Sequence, residues 1–418
     1  MNVLIKSAKI IDSQSEFHQK KRDILIENGK IINIATSIKN TKKHKEIKLK
    51  NLHVSIGWFD TSVSFGEPGY EERETIENGL KVAAKSGFTA VAINPDTNPF
   101  IDNKAAVEFL INKASNNAVS LYPIANLTQK SQGKELAELY DMQQSGAIAF
   151  GDYNSSITNA NLMKIALLYT QNFNGLALSF PQDDSIANHG QVNEGEQSTK
   201  LGLKGNPALA EELQIARDLF LLEYTGGKLH IPTISTANAV KLIAAAKKKG
   251  LDITCSVSTH HISLTDELLT SFESKYKVRP PLRTKNDVKA LIKGLNNGTI
   301  DMITSDHKPI DIEHKKVEFE NAMYGTIGLE NFFGTLNRIL SLEKLIACIT
   351  NQPRKRFNIE NHTISIGKIA NLTLFNPDRE IEFTERDILS TSKNSAFIDA
   401  KLQGEVYGIF ANNKLILN

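Results

Sequence analysis

Two serines, Ser62 and Ser64, stand two positions apart just after the apolar run 54–59, within Asp60-Thr-Ser-Val-Ser-Phe-Gly-Glu-Pro-Gly69. That spacing sends both hydroxyls to one side of a strand. Hydroxyls are poor metal ligands and weak bases, so what the pair does depends on the residues that reach it. Reactive types recur after further apolar runs: Asp96 after 88–93, Asp152 and Tyr153 after 147–150, Thr233 after 228–231, and Asp306-His307 after 300–304. Run 175–180 ends instead on Phe180, and run 252–257 leads to His260-His261 and on to Arg279. Asp306 offers a functional acid or a structural acceptor for backbone N–H groups. Ser62 with His307 as its base is a conceivable nucleophile, but no nucleophile elbow surrounds it. His230, His260, His261 and His307 are metal-ligand types. Their alternative use is hydrogen bonding within barrel and loops, because a metal site needs convergent geometry and not mere presence.

Something must bring these positions together. Eight β-like runs, at 54–59, 88–93, 119–124, 147–150, 175–180, 228–231, 252–257 and 300–304, alternate with helical patterns. The alternation predicts an α/β fold, a (β/α)8 barrel over residues 54–364. Active sites of that fold lie at the C-terminal ends of the strands, where the residues named above fall. A helix over 237–249 places Val240, Ile243 and Ala246 on one face, with Ser235 or Thr236 as N-cap and Lys247-Lys248-Lys249 before Gly250 at its end. Both termini read as strands, at 3–5, 23–26 and 30–34 with an Asn28-Gly29 hairpin turn, and at 370–375, 404–410 and 413–417. Residues 1–53 and 365–418 are therefore expected to form one small β-sandwich domain. The segment 184–206, rich in Gly, Asn and Ser, is long for a connection and is expected to be a lid or disordered.

The 418 residues suit one barrel-sized domain plus a smaller one. Hydrophobic content of 40% and charged content of 23% are those of a soluble globular protein. With 49 basic and 47 acidic residues there is no electrostatic case for nucleic-acid binding. Cys255 and Cys348 are far apart in sequence, so no disulfide framework is expected and a cytoplasmic location fits. The N-terminus has no long apolar region and no stretch reaches the roughly 20 apolar residues of a membrane span.

A set of ordered motifs then carries a resemblance. It comprises Phe65, Glu67-Pro68-Gly69, Glu74-Thr75-Ile76-Glu77, Gly205-Asn-Pro-Ala-Leu-Ala-Glu211 and Ala216-Arg217-Asp218. His260-His261, Pro280-Pro281-Leu282-Arg283, Asp306-His307 and Gly325-Thr-Ile-Gly-Leu-Glu330 complete it. With these the chain resembles the dihydroorotases of the amidohydrolase superfamily over essentially its whole length. The resemblance implies a metal-containing barrel that interconverts carbamoyl-aspartate and dihydroorotate in pyrimidine synthesis. It also implies a β-sandwich built from both chain ends and a homodimer.

At the catalytic positions the chain departs from that family. Ser62 and Ser64 stand where the family carries His-x-His. Gly66 replaces the Arg that binds the substrate carboxylate, and Asp96 replaces an Asn. Tyr153 takes the place of the bridging carboxylate, with the neighbouring Asp152 leaving a one-residue shift open. Phe180 and Thr233 replace two further His residues, and Arg279 replaces a substrate-contacting Asn. Asp306 alone remains among the metal positions. A catalytic zinc needs about three good N, O or S ligands and an open position, and it lowers the pKa of bound water from about 15.7 to about 7. This set is insufficient, so no zinc and no other cofactor is expected. Arg279 is expected to pair with Asp96 or Asp306. The resulting expectation is a catalytically inactive, dihydroorotase-like protein with a structural or regulatory role. Its first candidate partner is aspartate carbamoyltransferase, for which inactive relatives act as scaffolds. The alternative is a residual dihydroorotase or another cyclic-amide hydrolase.

Overall fold

The computed structural model describes residues 1–418. Eight parallel strands make the barrel: β1 (Trp58–Val63), β2 (Phe88–Ile93), β3 (Ser120–Ala125), β4 (Ala149–Phe150), β5 (Ala177–Leu178), β6 (Leu229–Ile231), β7 (Ile253–Ser258) and β8 (Met302–Thr304). They follow one another in space in sequence order. A parallel bridge between Val63 and His307 closes the ring, and the Ser64 amide donates to the His307 carbonyl at 2.7 Å. This closure brings Ser62 and Asp306 together.

The first strand corrects an expectation. Residues 54–56, read as the start of the barrel, belong to another sheet: His53–Ile56 pairs in parallel with Lys9–Ile11 and antiparallel with Leu372–Phe375. β1 starts after Gly57, four residues later than the run suggested. Both stretches are fully buried, so hydrophobicity does not separate them. Gly57 marks the junction because a Cβ there would collide with Asn371 and Thr89.

That second sheet is curled, has eight strands and draws on both chain ends. Its order runs Lys30–Ala35, Lys21–Glu27, Val3–Ile11, His53–Ile56, Leu372–Phe383, Ala400–Ala411, Lys414–Leu417, with Lys45–Ile47 beside Val3–Ile11. Asn28 and Gly29, with φ of 50° and 77°, make the tight turn that a two-residue hairpin requires. Trp58 ties sheet and barrel together. Its buried indole packs on Phe88, Phe333 and Phe375 with centroids 5.0–6.0 Å apart, and its N–H donates to Ser55 Oγ at 3.0 Å. Replacing Trp58 with Ala is expected to cost about 3–5 kcal/mol. A urea midpoint within experimental error of the parent would contradict that.

The outer helices include α1 (Leu139–Gln144), α2 (Ala160–Gln171), α3 (Ala208–Thr225) and α4 (Ala237–Lys248). Thr236, not Ser235, caps α4 by accepting from the Ala239 amide at 3.1 Å. The 184–206 segment is ordered. It holds a short helix (Asp184–Ala187), a two-stranded parallel ladder between Val192–Asn193 and Gly205–Asn206, and a second helix (Glu196–Leu201). No helix is long and apolar enough to cross a membrane, and both cysteines are buried and free.

Candidate active site

At the C-terminal mouth of the barrel the strand ends converge on Asp306. Its Oδ1 accepts from Ser62 Oγ and from the Tyr153 hydroxyl, both at 3.1 Å. Burial pushes its carboxyl up to about 6, against the opposing pull of the Lys308 cation and the two hydroxyl donors. Beneath it Asp60 is likewise pushed up to about 6 by burial, although it accepts from the Thr304 hydroxyl and the Ser305 and Ser62 amides. Tyr153, Thr233 and Asp306 all hold positive φ, between 47° and 49°. For a β-branched residue such as Thr233 that conformation is a genuine outlier. Strain of this kind, of order 1–3 kcal/mol per residue, clusters at functional sites and persists where the surrounding structure over-determines it.

A second layer joins the two serines to their neighbours. Asn94, at the end of β2, donates to Ser62 Oγ at 3.1 Å and to Ser64 Oγ at 3.2 Å. Ser64 Oγ donates to the Asp96 carboxylate at 2.9 Å. The Asp96 charge is met by Lys308 at 3.2 Å, whose ammonium also lies 4.6 Å from the Tyr153 ring centroid. Asn94 and Lys308 were not singled out from the sequence. Asn94 was findable, since it is the first polar residue past a buried strand; Lys308 was not, because nothing local marks its direction.

The expected pairing of Arg279 with Asp96 or Asp306 does not form. Arg279 instead reaches Asp184 at 3.1 Å and lies over the rings of Phe180 and Tyr324. It stands at the end of a long loop, so its side chain is set by that loop and not by the strand end. Gly66 offers no room for a side chain: its Cβ would strike the Tyr70 carbonyl. The Gly66 amide donates to the Glu74 carbonyl at 2.8 Å, so the chain between closes over the position. Asp152 turns away from the mouth and accepts from the Leu127 and Thr128 amides at 2.9 and 3.0 Å, leaving Tyr153 to face Asp306.

Three of the four histidines are used in other ways, and neither ring nitrogen of buried His260 has a hydrogen-bond partner. His230 bonds Thr254 and Ser256 at 2.9 and 3.2 Å. His261 bonds Ser258 and the Pro280 carbonyl at 2.6 and 2.9 Å. His307 Nδ1 accepts from the Gly328 amide at 3.1 Å, and burial holds the imidazole at about 4. Ser62 donates to Asp306, so no Ser62–His307 nucleophile pair exists. His260 comes nearest to Asp306, with Nε2 at 3.9 Å, but burial first and His261 second keep it well below its usual range and neutral.

Between Ser62, Asn94, Tyr153, Phe180 and His230 lies a cavity of about 20 Å³, room for roughly one water. No three His, Cys, Asp or Glu side chains come together anywhere in a geometry that holds a metal ion. At the barrel mouth Asp306 is already bonded to two hydroxyls, Asp96 is taken up by Ser64 and Lys308, and the imidazole of His260 stands neutral at 3.9 Å from Asp306. A catalytic zinc does not fit this donor set.

Comparison with known proteins gives a consistent picture. A family model described as Dihydro-orotase-like matches residues 53–239. The chain is 37% identical to a dihydroorotase of Syntrophus aciditrophicus, covering 100% of this chain and 99% of that protein. It is 38% identical to a dihydroorotase of Ruminiclostridium cellulolyticum, covering 97% and 96%. Among solved structures, the L-hydantoinase (dihydropyrimidinase) of Arthrobacter aurescens superposes with a TM-score of 0.88 over 100% of this chain and 96% of that one, at 20% identity.

Proposed function

The chain belongs to the dihydroorotase family of pyrimidine biosynthesis, and we propose that it is a member that keeps the fold and has lost the hydrolytic chemistry. One observation carries this reading. Asp306, the only residue left at a metal position, is bonded by Ser62 and Tyr153, and with His260 at 3.9 Å it makes at most a pair of donors where a catalytic metal needs three. Opening a cyclic amide requires a hydroxide-strength nucleophile near neutral pH, and without a Lewis acid water stays near its free pKa of about 15.7. No side chain here replaces that function, since the only base on Ser62 is the Asp306 carboxylate, far too weak to ionise a serine hydroxyl, and no imidazole touches it. The closed loop over Gly66 and the Asp96 carboxylate also oppose binding of a dicarboxylate substrate.

In this reading the protein serves a structural or regulatory role, and aspartate carbamoyltransferase is the partner to test. A residual hydrolase is the second reading, favoured by the 37% and 38% identity to full-length relatives named dihydroorotase. Metal analysis and a dihydroorotate hydrolysis assay on the same preparation decide between them. Less than about a tenth of an equivalent of zinc and turnover at the blank rate are expected. Zinc near one equivalent, or clear turnover, would establish the hydrolase. Co-sedimentation with the carbamoyltransferase of the same cell tests the partner, and separate boundaries at micromolar concentrations would remove it.

A further inference from the structure

A cavity of about 450 Å³ lies between the 184–206 segment and the loops that carry Arg279 and Tyr324. It shares no lining residue with the small cavity beside Asp306. Phe180 lines the small one, and Arg279, packed on that ring, lines the large one. Its volume falls within the roughly 300–1,000 Å³ of small-molecule sites. Most of its wall is polar, with Gln182, Asp184, Gln191, Asn206 and Arg279 supplying the hydrogen-bonding groups. An apolar occupant would leave those groups desolvated and unpaired, so the wall suits a charged or hydrogen-bonding ligand.

Arg279 and Asp184 are the only lining residues of fixed charge, and they form one opposite pair. Arg279 Nη2 donates to Asp184 Oδ1 at 3.1 Å, which leaves its Nε and Nη1 donors unbonded. Asp184 is anchored from two sides, its Oδ1 accepting from Gln182 Nε2 and its Oδ2 from Ser156 Oγ, both at 2.6 Å. The side chains of the pair remain 28% and 47% exposed, so their attraction is weak and opens at little cost. Gln182 in turn accepts from Asn206 Nδ2 at 3.1 Å. Asn206 is buried, at 3% exposure, yet its Oδ1 has no hydrogen-bond partner. An orphaned buried acceptor is costly, and a ligand that brings a donor would satisfy it.

We propose that this cavity binds a free α-amino acid with an uncharged polar side chain, its carboxylate on Arg279 and its ammonium on Asp184. A zwitterion exchanges one weak pair for two. Its carboxylate takes two guanidinium N–H donors side by side, and its ammonium takes the carboxylate that Arg279 releases. A plain anion gains only the first contact and meets the Asp184 charge unrelieved. Carbamoyl-aspartate, with an acylated nitrogen and two carboxylates, is mismatched for the same reason. The ligand side chain is left to Gln191 and Asn206, whose unpaired oxygens accept from hydroxyl or amide donors. The site does not require the barrel to be catalytic.

Scanning fluorimetry of the full chain against each standard L-amino acid, followed by calorimetric titration of the best, tests this. At least one of serine, threonine, asparagine and glutamine should bind with a Kd below about 1 mM. Its N-acetyl form lacks the ammonium and its α-amide lacks the carboxylate, and each should bind at least roughly tenfold more weakly. Arg279→Gln and Asp184→Asn should weaken binding by a similar factor. The two analogues are read on the parent protein, so the result stands even where a variant folds poorly. No binding of any amino acid at about 10 mM, or undiminished affinity in both variants, overturns the proposal. So does inorganic phosphate or the N-acetyl form binding as tightly as the free amino acid, which would make this a simple anion site.

Discussion

Replacing Arg283 with Ala should destabilise the protein by about 3–5 kcal/mol, the cost of leaving a buried charge without its partner. Arg283 is buried and donates to Ser235 Oγ at 3.1 Å, Asn193 Oδ1 at 2.9 Å and the Asn206 carbonyl at 2.8 Å. Its Nη2 lies 3.8 Å from Glu211 Oε2. Glu211 is itself buried and accepts from the Ser235 and Thr236 amides at 2.8 and 3.0 Å, so it fixes the start of α4. Burial raises the Glu211 carboxyl, and the Arg283 cation is the largest influence pulling it back. Without that cation the ladder also loses one of its tethers, leaving the bonds of Asn193 to Asp266 and of Asn206 to Gln182. Urea unfolding of Arg283→Ala reads the loss, and faster proteolysis within 184–206 should accompany it. The double variant Glu211→Gln with Arg283→Met removes both charges and should recover a substantial part of the loss. A single variant within 1 kcal/mol of the parent would show that this shared motif is not what holds the segment.

Asp306→Asn should do the opposite and stabilise the protein above pH 6. Burial raises the folded-state pKa of Asp306 from 3.8 to about 6. Between those values the folded chain binds more protons than the unfolded one, so stability falls as pH rises through the window and stays lower above it. An amide at this position has no such slope, and its oxygen still accepts from Ser62 and Tyr153. The variant should therefore gain about 1–3 kcal/mol over the parent at pH 8, with the gain shrinking toward pH 4. Removing the charge also relieves Asp60, whose carboxylate repels that of Asp306. The buried neutral imidazoles of His230, His260, His261 and His307 impose the reverse slope on both proteins, so the difference between variant and parent is what should be followed. In a metalloenzyme the same substitution removes a ligand and destabilises. A loss of stability at pH 8 would mean that the carboxylate is holding a cation after all.

Both predictions turn on one contrast. Glu211 and Arg283 are motif residues that hold elements together, and their partners are all present. Ser62, Ser64, Phe180 and Thr233 stand at the barrel mouth, where hydrogen bonds hold the two serines and Phe180 packs under Arg279. Tyr153, Thr233 and Asp306 occupy left-handed backbone positions.

The sequence by itself determined the barrel, the β-rich sheet from both chain ends and the charged end of α4, and it narrowed the cap of α4 to Ser235 or Thr236. These are legible because periodicity, turn chemistry and residue type act over a few neighbours. Tertiary structure alone decided how the barrel mouth is filled. It chose Lys308 over Arg279 as the partner of Asp96 and Tyr153 over Asp152 as the residue facing Asp306. It also closed the space at Gly66 with the Tyr70 carbonyl and moved residues 54–56 into the terminal sheet. Those outcomes depend on distances between residues remote in sequence, such as the 244 positions that separate Ser62 from Asp306. Ring closure of the barrel, and not any local pattern, sets them.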